Sequence, residues 1–462
     1  MGKVNPSLNI PSILGICLGI VAISIYYPLM NVSLPTITKE LHAKLIEAQW
    51  IVNIFGIVGC AFLVTFGRLA DIFGRKKIFV FGLACTSLAM IGDALSQSIG
   101  VIIALQFFTG LGNAIMLSAS QAMMSLEFPE HQRGKAVGLW AMVIGISLAM
   151  GPIVGGMLVG YLGWRSIYWF VLTLALISSF LVIKFASESK NDHDAAHLDI
   201  AGTILVTLAL GSLVFAIVEY GSLSIHWILT SLLVCVLSTL ALVKVEKRAD
   251  MPILRADLLK NPLFLKASIN SSLLIFFTWS VFLLVPLFLE SVAHYSVVQV
   301  GLVMIFLPLP QVFLSLLVGK RYNVHQAKYW IASGFVFAVM SAALLLALDG
   351  SANPMIVIAS MASFGIATSL VWGPTTTVAV STLSVQQAGI ATGTYSSIQE
   401  LGGNLGAAFG LLLARSAQGG FLVGFHHAAW LLIILMALGI FVALSMKTDH
   451  ISEKNKTPAM AH

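Results

Sequence analysis

The sequence predicts an all-α polytopic membrane protein with fourteen transmembrane helices and both termini in the cytoplasm. Three observations carry this. Hydrophobic residues make up 58% of the 462-residue chain and charged residues only 10%, with a mean hydropathy of +0.96. A soluble chain carries about a quarter charged residues, so this one lacks the polar surface to stay in water. Apolar runs long enough for the roughly 20-residue crossing of a bilayer centre near Ile20, Gly59, Ser87, Ala114, Ser147, Leu174, Ala209, Cys235, Phe277, Leu307, Val339, Ala362, Leu401 and Leu435. Finally, of the 25 Lys and Arg, all but Lys39, Lys44, Arg165 and Arg415 fall in alternate loops on one side. That bias marks the cytoplasmic face and requires an even number of crossings.

The first run is long, has no small-residue cleavage site and is followed by many others, so it reads as a span and not as a removable signal. Between the second and third runs lies Gly67–Lys77, where Arg68, Asp71, Arg75, Lys76 and Lys77 crowd together. Charge this dense between apolar segments reads as a turn pinned at the membrane surface. Gly67 and Gly74 supply a tight backbone there. The fifth run carries Gly145, Gly151, Pro152, Gly155, Gly156 and Gly160. Glycines at this density let helices approach to backbone contact, and Pro152 permits a bend. Two polar connections, 186–199 and 244–262, bracket the seventh and eighth runs. The thirteenth run is rich in glycine and polar residues, with a small-residue stripe at Gly402, Gly406 and Gly410. The short tail from residue 447 is polar.

The Gly-x-Leu-Ala-Asp-x-x-Gly-Arg-Lys pattern of the hairpin resembles the loop between spans 2 and 3 of the major facilitator superfamily. Gly-Pro-x-x-Gly-Gly in span 5 is similar to the signature of its exporters, and Trp164-Arg165 fits alongside. Leu198–Gly202 and Glu290–Gly301 resemble the fourteen-span drug:proton antiporter branch. The resemblance implies an N-terminal six-helix bundle at 10–185, two inserted spans with cytoplasmic linkers at 186–262, a C-terminal six-helix bundle at 263–446 and a cytoplasmic tail at 447–462. It also implies that the hairpin (Gly67, Arg68, Asp71, Gly74, Arg75, Lys76) latches one conformation and that the span 5 glycines form a sliding contact between the halves.

The chain departs from the family at two places. Asn31-Val-Ser-Leu-Pro35 is similar to the end of the family's span 1, but Tyr26 stands where an Asp is usual. Gln106 stands where span 4 usually carries an Arg. Losing both charges together is coherent, since a lone buried charge is costly. By the resemblance, whose residues at these positions face the cavity, Tyr26, Gln106 and Asn31 are cavity and substrate candidates.

Glu400 is the candidate for proton coupling, because an acid inside a membrane helix is a functional candidate; the alternative is a carboxylate solvated near the cytoplasmic end. Asp93, Glu219 and Glu290 read as solvated or interfacial groups near outer span ends, and His426 and His427 as interfacial. The cysteines have no metal-ligand spacing, and no metal site or cofactor is expected. Dispersed cations argue against nucleic acid, and no phosphate loop or catalytic constellation marks an enzyme. The expected function is a secondary active transporter in the plasma membrane (the bacterial inner membrane), a monomer exporting amphipathic organic compounds or drugs by proton antiport. The alternatives are a metabolite, lipid or siderophore exporter, an uncoupled facilitator, or a non-transporting membrane sensor.

Overall fold

The computed structural model describes residues 9–129, 133–189, 200–221, 223–246, 258, 260–321, 324–381, 388–417 and 419–446. Among these, every regular element is helical. The chain starts with α1 (Ile10–Glu40), α2 (Leu45–Phe73), α3 (Arg75–Leu95), α4 (Ile99–Leu126), α5 (Arg133–Leu162) and α6 (Arg165–Phe185). It continues with α7 (Ile200–Val218), α8 (Ile225–Glu246), α9 (Pro262–Ser291), α10 (Val297–Met304) and α11 (Pro308–Arg321). A single 3₁₀ turn precedes α12 (Ala327–Leu346), and α13 (Pro354–Ser381), α14 (Ala388–Ser416) and α15 (Phe421–Leu444) complete the order. Helix is the expected outcome, because a bilayer offers no water to backbone groups and each apolar run must satisfy its own.

Twelve of the described helices are long and apolar enough to cross a membrane, against the fourteen runs read from the sequence. Thirteen of the run centres fall inside helices. The exception is Leu307, which lies in a turn between α10 and α11. Pro308 and Pro310 explain the break, since proline removes a helical donor and disfavours the helical backbone of the residue before it. The thirteenth run is the 29-residue α14, where Thr, Ser, Gln399, Glu400 and Asn404 dilute the apolar content.

The chain divides into two compact units. One holds residues 1–253 together with His294–Leu302; the other holds Leu254–Ala293 and 303–462. In the first, α1 packs on α5 and α6, α3 packs on α4 and α6, and α2 packs on α4 and α7. A core of Ile16, Ile20, Phe79, Leu83, Met116 and Val182 fills the space between α1, α3, α4 and α6. In the second, α9 packs on α13, α14 and α15, and α12 on α13 and α15. Phe288 stacks on Phe425 with ring centroids 4.3 Å apart.

Hydrogen bonds tie the first unit together at both ends. At one end, Asn9 Nδ2 donates to the Phe185 carbonyl (2.8 Å) and the Ser12 hydroxyl donates to Glu127 Oε1 (2.6 Å). Burial of Glu127 pushes its carboxyl above the usual range, and the Ser12 bond opposes that shift. At the other end, Trp164 Nε1 donates to Glu40 Oε2 (2.7 Å), while Arg165 donates to the Ser96 carbonyl (2.9 Å) and lies 3.6 Å from Glu40.

Candidate functional site

The charged hairpin is tighter than its sequence suggests. Gly67 through Phe73 are helical, so Gly67 is not a turn residue, and the turn between α2 and α3 is Gly74 alone. Gly74 has φ 111° and ψ 128°, a conformation that only glycine adopts readily. Arg75 Nε and Nη2 both donate to Asp71 Oδ1, at 3.0 and 2.7 Å. The Arg68 side chain lies outside the described residues.

A second anion completes the hairpin. The Glu188 carboxylate accepts from the backbone N–H of Lys76 (3.0 Å) and Lys77 (3.2 Å). It therefore caps the first turn of α3, where unpaired donors and the helix dipole both favour negative charge. Lys76 Nζ answers by donating to the Ile183 and Ala186 carbonyls at the end of α6, at 2.9 and 2.8 Å. The hairpin is thus fastened to the end of α6 through Glu188, which lies 112 positions along the chain from Lys76 and so is not visible from local sequence spacing.

The glycines of α5 behave as close-approach positions. A Cβ on Gly151 would overlap Pro28 of α1, and one on Gly155 would come within 3.2 Å of Leu29. On the next turn, a Cβ on Gly156 would lie 2.8 Å from the Val297 carbonyl oxygen and 3.0 Å from the Gly301 Cα. Reciprocally, a Cβ on Gly301 would lie 2.6 Å from the Pro152 carbonyl oxygen. Gly145 is half-buried one turn and more before this contact.

Tyr26 and Gln106, chosen separately from two helices, meet. The Tyr26 hydroxyl donates to Gln106 Oε1 at 2.9 Å, and Gln106 Nε2 donates to Asp93 Oδ2 at 3.2 Å. The sequence placed Asp93 at an interface, but its exposure is 0%, as is that of Gln106, with Tyr26 at 1%. Asp93 lies only two residues from the end of α3, and position along the helix was the misleading signal. Its direction, into the seam between α3 and α4, decides its burial. Tyr26 also packs against Phe55 and Tyr168, at 5.6 and 6.3 Å between centroids. Asn31 is buried but turns back on its own helix, where Nδ2 donates to the Tyr27 carbonyl at 2.9 Å. Its Oδ1 has no hydrogen-bond partner among the described residues, and the bonds of its side chain do not run to Tyr26, Gln106 or Asp93.

In the second unit, a polar seam runs between α9 and α14. Gln399 Nε2 donates to the Ser271 hydroxyl (2.7 Å), and the Ser280 hydroxyl donates to the Gly406 carbonyl (2.8 Å). Cβ atoms on Gly402 and Gly406 would strike the backbone of Ser272 and Phe276, so the small-residue stripe is a packing face. Glu400 is half-buried on α14. Among the described residues its carboxyl has no hydrogen bond or ion pair, and its backbone carbonyl accepts from Asn404 at 2.9 Å. Elsewhere, Glu219 accepts from Trp50 Nε1 (2.9 Å) and His426 Nε2 bonds the Leu348 carbonyl (2.7 Å), both ordinary fastenings near helix ends.

Long apolar helices enclosing buried polar seams define a polytopic membrane protein whose interior handles polar groups. Residues 14–407 match the family model of the Major Facilitator Superfamily, and the chain belongs to that family of transporters. It is similar to the riboflavin transporter RibZ of Clostridioides difficile (strain 630), at 26% identity over 85% of this chain and 86% of the relative. It is also similar to the multidrug resistance protein Stp of Mycobacterium tuberculosis (strain CDC 1551 / Oshkosh), at 28% identity over 86% and 74%. The crystal structure of a POT peptide transporter in complex with sulfate superposes with a TM-score of 0.71 at 12% identity, covering 95% of each chain. At that identity the likeness concerns the fold alone.

Proposed function

We propose that the chain is a proton-driven exporter of amphipathic organic compounds in the bacterial inner membrane, acting as a monomer with fourteen crossings and both termini in the cytoplasm. The observation that carries the export reading is the α5 run Gly151-Pro152-Ile-Val-Gly155-Gly156. Its glycines lie in close contact with the Pro28 and Leu29 side chains of α1 and with the backbone of the α10 region, the kind of close, small-residue contact along which helices can slide. The name of the relative Stp points to drugs as cargo. The name of the relative RibZ supports a second reading, in which the cargo is a single metabolite such as a flavin.

Fourteen crossings follow if the broken pair α10–α11 and the polar α14 each cross once in addition to the twelve apolar helices. Discontinuous helices are common at the substrate sites of secondary transporters. Alternating access would proceed by opening and resealing the Asp71–Arg75–Glu188 hairpin, and Glu400 would carry the coupled proton. Tyr26, Gln106 and Asn31 would face the transport cavity in another state.

The test is ethidium and riboflavin flux in sealed vesicles carrying the purified protein, with and without an imposed pH gradient. Gradient-dependent ethidium movement is the expected result. Riboflavin movement alone would favour the second reading, and movement of either solute that ignores the gradient would overturn proton coupling.

A further inference from the structure

The carboxyl of Asp93 is the least expected group in the first unit. It has 0% exposure, its Oδ1 has no hydrogen-bond partner among the described residues, and its Oδ2 accepts one neutral amide bond. A buried carboxyl without a cation is costly to maintain for packing alone. The groups facing it are few. From α1 comes Tyr26; from α4, Gln106; from α6, Tyr168, with Arg165 beyond it. Arg165 is committed elsewhere, to the Ser96 carbonyl, to Glu40 and to the face of Trp164, 4.0 Å from the ring centroid. The third helix packed on α3 is α2, and no hydrogen bond or ion pair among the described residues joins its charged groups to Asp93.

We propose that Asp93 is a proton-exchange site and that Gln106 reports its occupancy to α1. In this state the acid has no exposed surface, which suits a ligand as small as a proton. The relay follows from amide chemistry, because glutamine presents an oxygen acceptor at one position and an NH2 donor at the other. With Asp93 ionised, Gln106 Nε2 donates to the carboxylate and Gln106 Oε1 accepts from Tyr26, the arrangement observed. When a proton binds at Oδ2, that O–H becomes a donor, and the amide rotates so that its oxygen accepts from Asp93 and its NH2 donates to the Tyr26 oxygen. One O–H bond forms at Oδ2, no other covalent bond changes, the two hydrogen bonds of Gln106 reverse, and Tyr26 redirects its own O–H. Proton uptake on α3 therefore changes which group α1 can bond.

Above this chain, Trp164 packs edge-on against Tyr168 at 5.9 Å and is held by Glu40. The Glu40–Trp164–Arg165 cluster thus lies at the end of the unit nearest Asp93, and in this proposal water would reach the acid by parting it.

The inference builds on the proton-driven reading and is separable from it. Infrared difference spectra of the lipid-reconstituted protein, acidic minus alkaline, should contain the C=O band of a protonated carboxyl. One component of that band should be lost in Asp93→Asn and persist in Glu400→Gln; a band unchanged in Asp93→Asn overturns the assignment. If Asp93→Asn fails to fold, Asp93→Glu serves instead, and the band must shift in frequency. Ethidium flux in sealed vesicles supplies the second readout: Asp93→Asn should lose its dependence on the pH gradient while still exchanging ethidium downhill. Gradient dependence that survives in Asp93→Asn refutes this site alone, whereas its absence in the unaltered protein refutes the wider reading.

Discussion

Gly156→Ala probes the α5 contact most directly. The added methyl carbon would sit 2.8 Å from the Val297 carbonyl oxygen and 3.0 Å from the Gly301 Cα. Optimal separation between carbon atoms is about 3.5–4.0 Å, so the two segments must part by roughly 0.5–1 Å. Both obstacles are backbone, and no side-chain rotation relieves them. Overpacking of this kind costs about 1–3 kcal/mol. For a unit of this size, that predicts a fall in Tm of about 2–12 °C, at about 2–4 °C per kcal/mol. If the contact exists in only one transport state, the same energy shifts the balance of states by about 5–150-fold. Gly301→Ala presses on the same crossing from the other side, so the double variant should cost less than the two singles together. Gly211→Ala is the control: a Cβ there meets nothing within 4 Å, and the helix should gain about 0.5–1 kcal/mol. Thermal unfolding in detergent and ethidium flux in vesicles read the two effects. A Gly156→Ala protein that matches the unaltered chain in Tm and flux, or a strictly additive double variant, would refute the reasoning.

Other substitutions test separate parts. Gly74→Ala forces a side chain into a positive-φ conformation and within 2.6 Å of the Glu188 carboxylate; backbone strain of about 1–3 kcal/mol plus a lost cap of about 0.5–2 kcal/mol should lower Tm more than any other hairpin change. Asp71→Asn removes a partly exposed ion pair worth about 0.5 kcal/mol, so its Tm should stay near that of the parent while flux changes; an equal loss of Tm in both hairpin variants would contradict this ranking. Glu127 has a raised carboxyl pKa, so its ionisation on folding is disfavoured: stability is fully present below the unfolded pKa and is lost as pH rises through the folded one. Glu127→Gln should therefore gain Tm relative to the parent at neutral pH and not at acid pH, with an equal difference at both contradicting the burial argument. Glu400→Gln should abolish pH-gradient-driven ethidium flux while leaving expression and Tm intact; unchanged gradient dependence removes Glu400 as the carrier.

The spans were legible because the bilayer enforces a simple rule, a run of apolar residues of fixed length, and that rule places a helix at every run centre but one. Leu307 failed because runs of hydropathy do not register that Pro308 and Pro310 interrupt a helix. In the hairpin, charge density located the turn but overestimated its length, since Gly67 through Phe73 simply continue α2 and one glycine reverses the chain. The missing partner, Glu188, sits on the far side of four helices in sequence and belongs to a linker that reads only as polar. Tyr26 and Gln106 were noticeable because they replace expected charges, yet the replacement makes sense only once Asp93 is seen bonded to Gln106. Asp93 was misread because depth was judged from distance along the chain, whereas a helix residue near an end can still face a sealed seam between its neighbours.

In a proton-driven exporter, solute movement and proton movement are one process. Vesicles carrying the purified protein and an entrapped pH-sensitive dye, with no gradient imposed, should show a rise in lumenal pH when ethidium is added, as protons leave against ethidium entry, and no rise in Asp93→Asn. Ethidium entry at full rate with a flat dye signal in the unaltered protein would contradict the account.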